Sequence, residues 1–164
     1  MSELNAIEAA KRSLHLREIL IKELHVEVAD ELSEAPGQTD AGVAFRSGYI
    51  GHKILERDDK SLPSVRFKYS CGIRLAHQEI IKNTTPNELQ KEDLLLEILA
   101  IYTVDYAMKE TLSEEALIEF GKINVGYHVW PFWRELLQST CNRIGVNPIS
   151  LPFYRPPQRK KADA

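Results

Sequence analysis

The chain has 164 residues, 27% of them charged and 43% hydrophobic, with a formal net charge of −3. Such a length supports one domain with a real core, the composition is that of a soluble globular protein, and slight acidity without a basic stripe argues against a nucleic-acid partner. Two cysteines, Cys71 and Cys141, are too few for a disulfide framework and lack the CxxC spacing of a zinc site, so buried free thiols in a reducing compartment are expected.

Residues 2–13 favour a short helix, with Leu4, Ile7 and Ala10 along one side. Its acidic residues and broken apolar run distinguish it from a signal peptide. No apolar run approaches a membrane span, and a cytoplasmic location is expected. From about Leu16 the period becomes that of a strand. Leu20, Leu24, Val26 and Val28 share one face with Lys22, while Ile19, Ile21, Glu23, His25 and Glu27 share an outer face with an acidic edge. After a polar loop over 30–42, a second strand is expected over 43–56. Val43, Phe45, Tyr49 and Leu55 alternate there against Arg46 and His52, and Gly48 and Gly51 suggest a bulge or bend.

The third strand has the cleanest pattern. Val65, Phe67, Tyr69, Cys71, Ile73 and Leu75 face one way, and Arg66, Lys68, Ser70, Gly72 and Arg74 the other, which implies an antiparallel sheet with one covered face. A polar connection over 83–93 leads to a fourth strand over 94–108. One of its faces carries Leu94, Leu96, Ile98, Ala100, Tyr102, Val104 and Tyr106. The second carries Leu95, Glu97, Leu99, Ile101 and Thr103, unusually apolar for a wet surface.

Thr111-Leu-Ser-Glu-Glu reads as a helix start, with Ala116, Leu117 and Phe120 buried and Gly121 as its stop. A last helix is expected to begin at Pro131, which suits a first turn, and to bury Phe132, Leu136, Leu137, Cys141 and Ile144. Gly145 supplies its left-handed end, and Pro148 prevents resumption. Residues 155–164 read as a disordered basic tail, leaving 1–154 as a single domain. Four strands followed by two helices predict an α+β fold, a four-stranded antiparallel sheet with helices packed on one face.

Chemistry is thinly represented. The five histidines are scattered, with no HxxxH or HExxH, and the chain lacks GxSxG, GxGxxG and phosphate-loop motifs. Glu23, His25 and Glu27 would share a strand face, where a solvated surface outweighs a metal site. Cys141 faces the apolar side of its helix, which leaves a thiol inert. No catalytic residue and no cofactor are assigned. Surplus apolar surface is the stronger signal: Leu95, Leu99 and Ile101 on the second sheet face, and Tyr127, Val129, Trp130, Phe132 and Trp133 within one segment. Some of these fill the core, and the rest form a groove wall or an oligomer interface.

The succession of strands, helix, irregular loop, Trp130-Pro-Phe-Trp-Arg-Glu, a helix ending Asn142-Arg-Ile-Gly, then Pro148 and Leu151-Pro152 resembles the SecB family of export chaperones. The family pattern is aromatic-Pro-Tyr-x-Arg-Glu, a helix, and a Pro-x-x-Leu exit, with Phe132 here in place of the tyrosine. The resemblance is specific over 113–152 and looser over 16–108. It implies a homotetramer, a dimer of dimers with helices between two eight-stranded sheets. It also implies ATP-independent holding of unfolded preproteins in apolar grooves, competent for translocation by the Sec pathway. Val125, Tyr127, Val129 and Phe132 would contact clients. Glu23, Glu27, Leu95 and Glu97 match the patch that receives the SecA motor, and no membrane insertion is implied. The chain departs from the family in two places: the loop over 30–42 lacks a groove-lining tryptophan, and a Pro/Lys-rich tail stands where a C-terminal helix is usual. SecB-like proteins also serve as chaperones dedicated to the antitoxin of a toxin–antitoxin module, which is the alternative function. A third possibility is an α+β enzyme with a hydrophobic substrate pocket.

Overall fold

The structure, a computed structural model, describes residues 3–34, 40–56 and 62–157. In chain order the elements are α1 (Glu3–Ser13), β1 (Leu14–Val28), α2 (Asp30–Glu34), β2 (Ala41–Leu55), β3 (Ser64–His77), α3 (Gln78–Asn83), β4 (Leu94–Met108), α4 (Glu114–Phe120) and α5 (Gly126–Arg143). The strands form one antiparallel sheet in the order β1-β4-β3-β2. This is the α+β architecture expected. Most of the expected basic tail lies outside the described residues.

Alternation in β3 and β4 does what the period of two requires. Val65, Phe67, Tyr69, Cys71, Ile73 and Leu75 are all buried, as are Leu96, Ile98, Ala100, Tyr102, Val104 and Tyr106 of β4. Together with α4 and α5 they form the main core. The opposite face carries cross-strand ion pairs. Arg66 forks onto Asp105, Nε to Oδ1 at 2.7 Å and Nη2 to Oδ2 at 2.6 Å, and Arg74 Nε reaches Glu97 Oε2 at 2.5 Å. Both are directly opposed pairs, so one register satisfies them together.

Three expectations change where the strands depart from strict alternation. Bulges between Leu16 and Glu18 and between Ile21 and Glu23 shift the phase of β1 twice. Leu14, Leu16, Ile19, Ile21, Leu24, Val26 and Val28 therefore lie opposite the inward-facing residues of β4, and Ile19 and Ile21 leave the acidic face assigned to them. The bulge expected in β2 falls between Tyr49 and Gly51. It turns His52 inward beside Phe67, where its Nδ1 meets the Tyr49 hydroxyl at 2.6 Å. A further shift sets Ala76 against Leu94, so Leu94 joins the outer-face cluster of Ala44, Ala76 and Leu89, over which α3 folds. Leu95 turns into the main core, the reverse of the faces assigned to these two leucines.

The helical layer differs more. Ser113 caps α4, its hydroxyl accepting from Ala116 N at 3.2 Å. Gly121 does not stop the helix: it has φ −57° and ψ −45°, and a π-helical turn over Gly121–Val125 runs directly into α5. Gly121 and Gly126 serve close approach instead. A Cβ on Gly121 would lie 2.6 Å from the Tyr49 ring, and one on Gly126 would collide with the hydroxyls of Tyr69 and Tyr154. The helix therefore begins well before Pro131, which stands inside α5 on an exposed position. The buried stripe is Val129, Trp133, Leu137, Thr140 and Cys141, and Phe132 lies outside it. At the other end the expectation holds. Gly145 has φ 73°, Gly145 N donates to Asn142 O, and Val146 N donates to Cys141 O, which closes a Schellman motif.

Candidate functional site

Surplus apolar surface begins at the sheet edge. β1 borders only β4, and α5 crosses β2, β3 and β4 without covering the edge strand. On the inward face of β1 only Leu14 is fully buried, while Leu16, Ile21 and Leu24 keep 44%, 47% and 47% of their surface exposed. Seven apolar residues thus point to the helical side of the sheet with no helix over most of them. Leu20, half exposed on the other face, adds to the bare edge.

The helical layer presents two further flanks. Val125 and Val129, expected to touch a client, are fully buried in the core, because the residues between the helices are helical and turn these side chains onto the sheet. Tyr127 and Phe132 do reach the surface, 66% and 50% exposed. They do not converge: five residues apart, they are separated by about 140° around the helix. Phe132 follows His128 by one turn, and His128 lies on the flank that meets β4. There His128 Nδ1 meets the Tyr106 hydroxyl at 2.7 Å, and burial pushes the His128 imidazole below its ordinary value.

Tyr127 belongs to the other flank. Its ring lies 6.4 Å from that of Tyr154, and Tyr154 lies 5.4 Å from Trp130. Residues 146–157 run along this flank without regular structure. Trp130 Nε1 donates to Pro152 O at 3.0 Å, and the Tyr154 hydroxyl donates to Ile123 O in the π turn at 3.2 Å. Sequence reasoning missed Tyr154 because it stands beside a stretch read as tail. The available signal was an aromatic pair, Phe153-Tyr154, in a proline-punctuated run.

The outer face of the sheet holds the acidic group. Glu23, Glu27 and Glu97 lie on it, opposite or beside Ile101 and Leu99. Glu97 is engaged by Arg74, and its side chain is only 13% exposed. His25 Nε2 stands 3.4 Å from Glu27 and 3.7 Å from Glu97, and Lys91 Nζ stands 3.3 Å from Glu27. Leu95, grouped with these acids by sequence, is buried in the cluster that includes Leu32 of α2, so it offers no surface. Beside the acids a concavity of about 630 Å³ is lined by Arg46, Ile50, Ser70, Leu99 and Ile101. Among the described residues no group of three His, Cys, Asp or Glu side chains is placed to hold a metal ion. No described helix is long and apolar enough to cross a membrane.

Among solved structures the chain is similar to the Mycobacterium tuberculosis SecB-like chaperone Rv1957 in complex with a ChAD peptide from the Rv1956 HigA1 antitoxin. The two share 12% identity and superpose with a TM-score of 0.61 over 94% of this chain and 99% of that one. No family model matches the sequence, and no curated protein matches it. At this identity the likeness establishes the fold, which is SecB-like.

Proposed function

We propose that this SecB-like fold works as an ATP-independent holding chaperone, and that its client is an exposed segment of a toxin–antitoxin module's antitoxin. One observation carries the reading: on a fold shared with a chaperone solved with an antitoxin peptide, apolar side chains remain uncovered after the core has closed. Holding needs no catalytic group. Many modest contacts along an extended chain supply affinity, and the bare surfaces are of the kind that makes them. The sequence alone put general export first. The similarity to an antitoxin-bound structure favours the dedicated role instead.

The inward face of β1 is assigned to a second copy of the chain. A long edge strand with an apolar face invites pairing, and a homo-oligomer, a dimer of dimers in the fullest form, would cover it. A cytoplasmic location accords with this role. Export through SecA is the second reading, favoured by Glu23 and Glu27 standing exposed on the outer face beside Glu97.

The test compares clients. The protein is mixed, without nucleotide, with an aggregation-prone antitoxin or with an unrelated unfolded protein, and light scattering is followed. Suppression confined to the antitoxin supports the dedicated role, and equal suppression of both supports general holding. Scattering unchanged for both clients removes the chaperone reading.

A further inference from the structure

Residues 146–157 are extended and irregular, yet they are seated on the structure. Ile149, Leu151 and Tyr154 are half-buried, while Pro148, Ser150, Pro152 and Phe153 face outward. Val146, Ile149 and Leu151 pack against the main core. Tyr154 goes furthest in. Its ring lies against Trp130 and Tyr127, and its hydroxyl sits over Gly126, where a Cβ would stand 2.6 Å away. That hydroxyl donates to the Ile123 carbonyl in the π turn. The resulting slot has aromatic walls, a glycine floor and a carbonyl acceptor.

The way the segment is held matters as much as where it lies. Beyond Val146 the described segment makes no backbone–backbone hydrogen bond, unlike the strands and helices around it. Its polar anchors are the Trp130 indole on Pro152 O, the Tyr154 hydroxyl on Ile123 O and beside the Tyr69 hydroxyl, and the Ile149 backbone N–H on the Cys141 thiol. Prolines at 148, 152, 156 and 157 keep it extended, so little chain entropy is lost when it docks. Such contacts are available to any extended chain with the right side-chain spacing.

We propose that this slot binds an extended segment bearing an aliphatic residue followed three places later by a tyrosine, and that the chain's own Leu151 and Tyr154 occupy it until such a segment displaces them. The inference rests on the holding-chaperone reading and names the chemistry of its client. It also makes the C-terminal segment a built-in competitor. A tethered occupant competes at high effective concentration, so the observed affinity for a free segment is reduced by the fraction of time the slot stands open.

The experiment uses the full chain and a fluorescent synthetic peptide of residues 146–157, with binding read by anisotropy. Tyr154→Ala releases the resident segment and tightens peptide binding about tenfold or more, because the open fraction approaches one. Tyr154→Phe, which keeps the ring and loses only the hydroxyl contacts, falls between that variant and the parent. Phe153→Ala, at an 85% exposed position, leaves the parent value unchanged. Equal affinity across the parent and both Tyr154 variants overturns the proposal, as does absence of binding to all of them. Should the alanine variant fail to fold by circular dichroism, the phenylalanine variant alone decides, with tightening in support and parent affinity against. Reduced, carboxymethylated lactalbumin is titrated in parallel. If it is held while the peptide affinities stay equal, the slot proposal fails alone. If neither it nor the antitoxin is held, the chaperone reading fails too.

Discussion

Single residues decide how closely the helical layer meets the sheet. Gly126 faces the Tyr69 and Tyr154 hydroxyls and Gly121 faces Tyr49 and Phe67, whereas a Cβ on Gly48 meets nothing within 4 Å. Gly126→Ala is therefore expected to destabilise by about 1–3 kcal/mol through overpacking. Gly48→Ala is expected to stay within about 0.5 kcal/mol of the parent, and urea unfolding separates the two. His128 gives a second prediction. Its folded-state pKa lies below the ordinary value because it is partly buried, so the unfolded chain takes up the proton first. Stability is thus fully present above the ordinary histidine pKa and declines as pH falls through it toward the lower folded value. The melting temperature of the parent should drop over that interval more steeply than that of His128→Gln, and parallel pH profiles would contradict the assignment. Gly121 also shows where the sequence was misleading. A glycine after an apolar helical stripe reads as a stop, and only the facing rings of Tyr49 and Phe67, distant in sequence, reveal that it is there for want of a side chain.

At the level of elements, β3, and β4 from Leu96 onward, were legible, because both obey one period there and bury the face they should. A register shift at the start of β4 exchanges the faces expected of Leu94 and Leu95. β1 was legible as a strand but not in its facing. Two bulges, which no local signal announced, bring Ile19 and Ile21 onto the same side as Leu24 and Val26. The consequence is an edge strand that is apolar inward and uncovered. Ile21→Glu with Leu24→Lys is expected to break the proposed oligomer while leaving the fold intact, since neither side chain is buried within the protomer. Mass-resolved chromatography with far-ultraviolet circular dichroism checks this, and an unchanged mass would move the interface elsewhere. Trp133, on the buried stripe of α5, behaves oppositely: Trp133→Ala should cost about 3–5 kcal/mol of stability through the cavity it leaves. The proposed client residues divide along the same line. Tyr127 and Phe132 stay accessible on separate flanks, while helical continuity through the π turn removes Val125 and Val129 to the core.

For the whole molecule, the division of labour follows from area. A client segment covering about 400 Å² of apolar surface gains roughly 10 kcal/mol before costs. Association and ordering of a flexible chain consume about 4–15 kcal/mol of such a gain, so one pocket is not enough and a continuous surface over several elements is required. The bare β1 face, the Phe132 flank and the aromatic slot are separate patches on one protomer, and assembly would determine which of them become a groove and which an interface. The family resemblance carried the fold from motifs near the C-terminal helix, but client identity is set by side-chain placement on flanks that those motifs do not describe. The most direct measurement is the mass, by light scattering after size exclusion, of the purified protein alone and with an antitoxin, the proposed client, in the absence of nucleotide. The account predicts a multiple of the 18.7 kDa protomer that gains the mass of the bound antitoxin. A monomer that elutes unchanged beside free or aggregated antitoxin would contradict it.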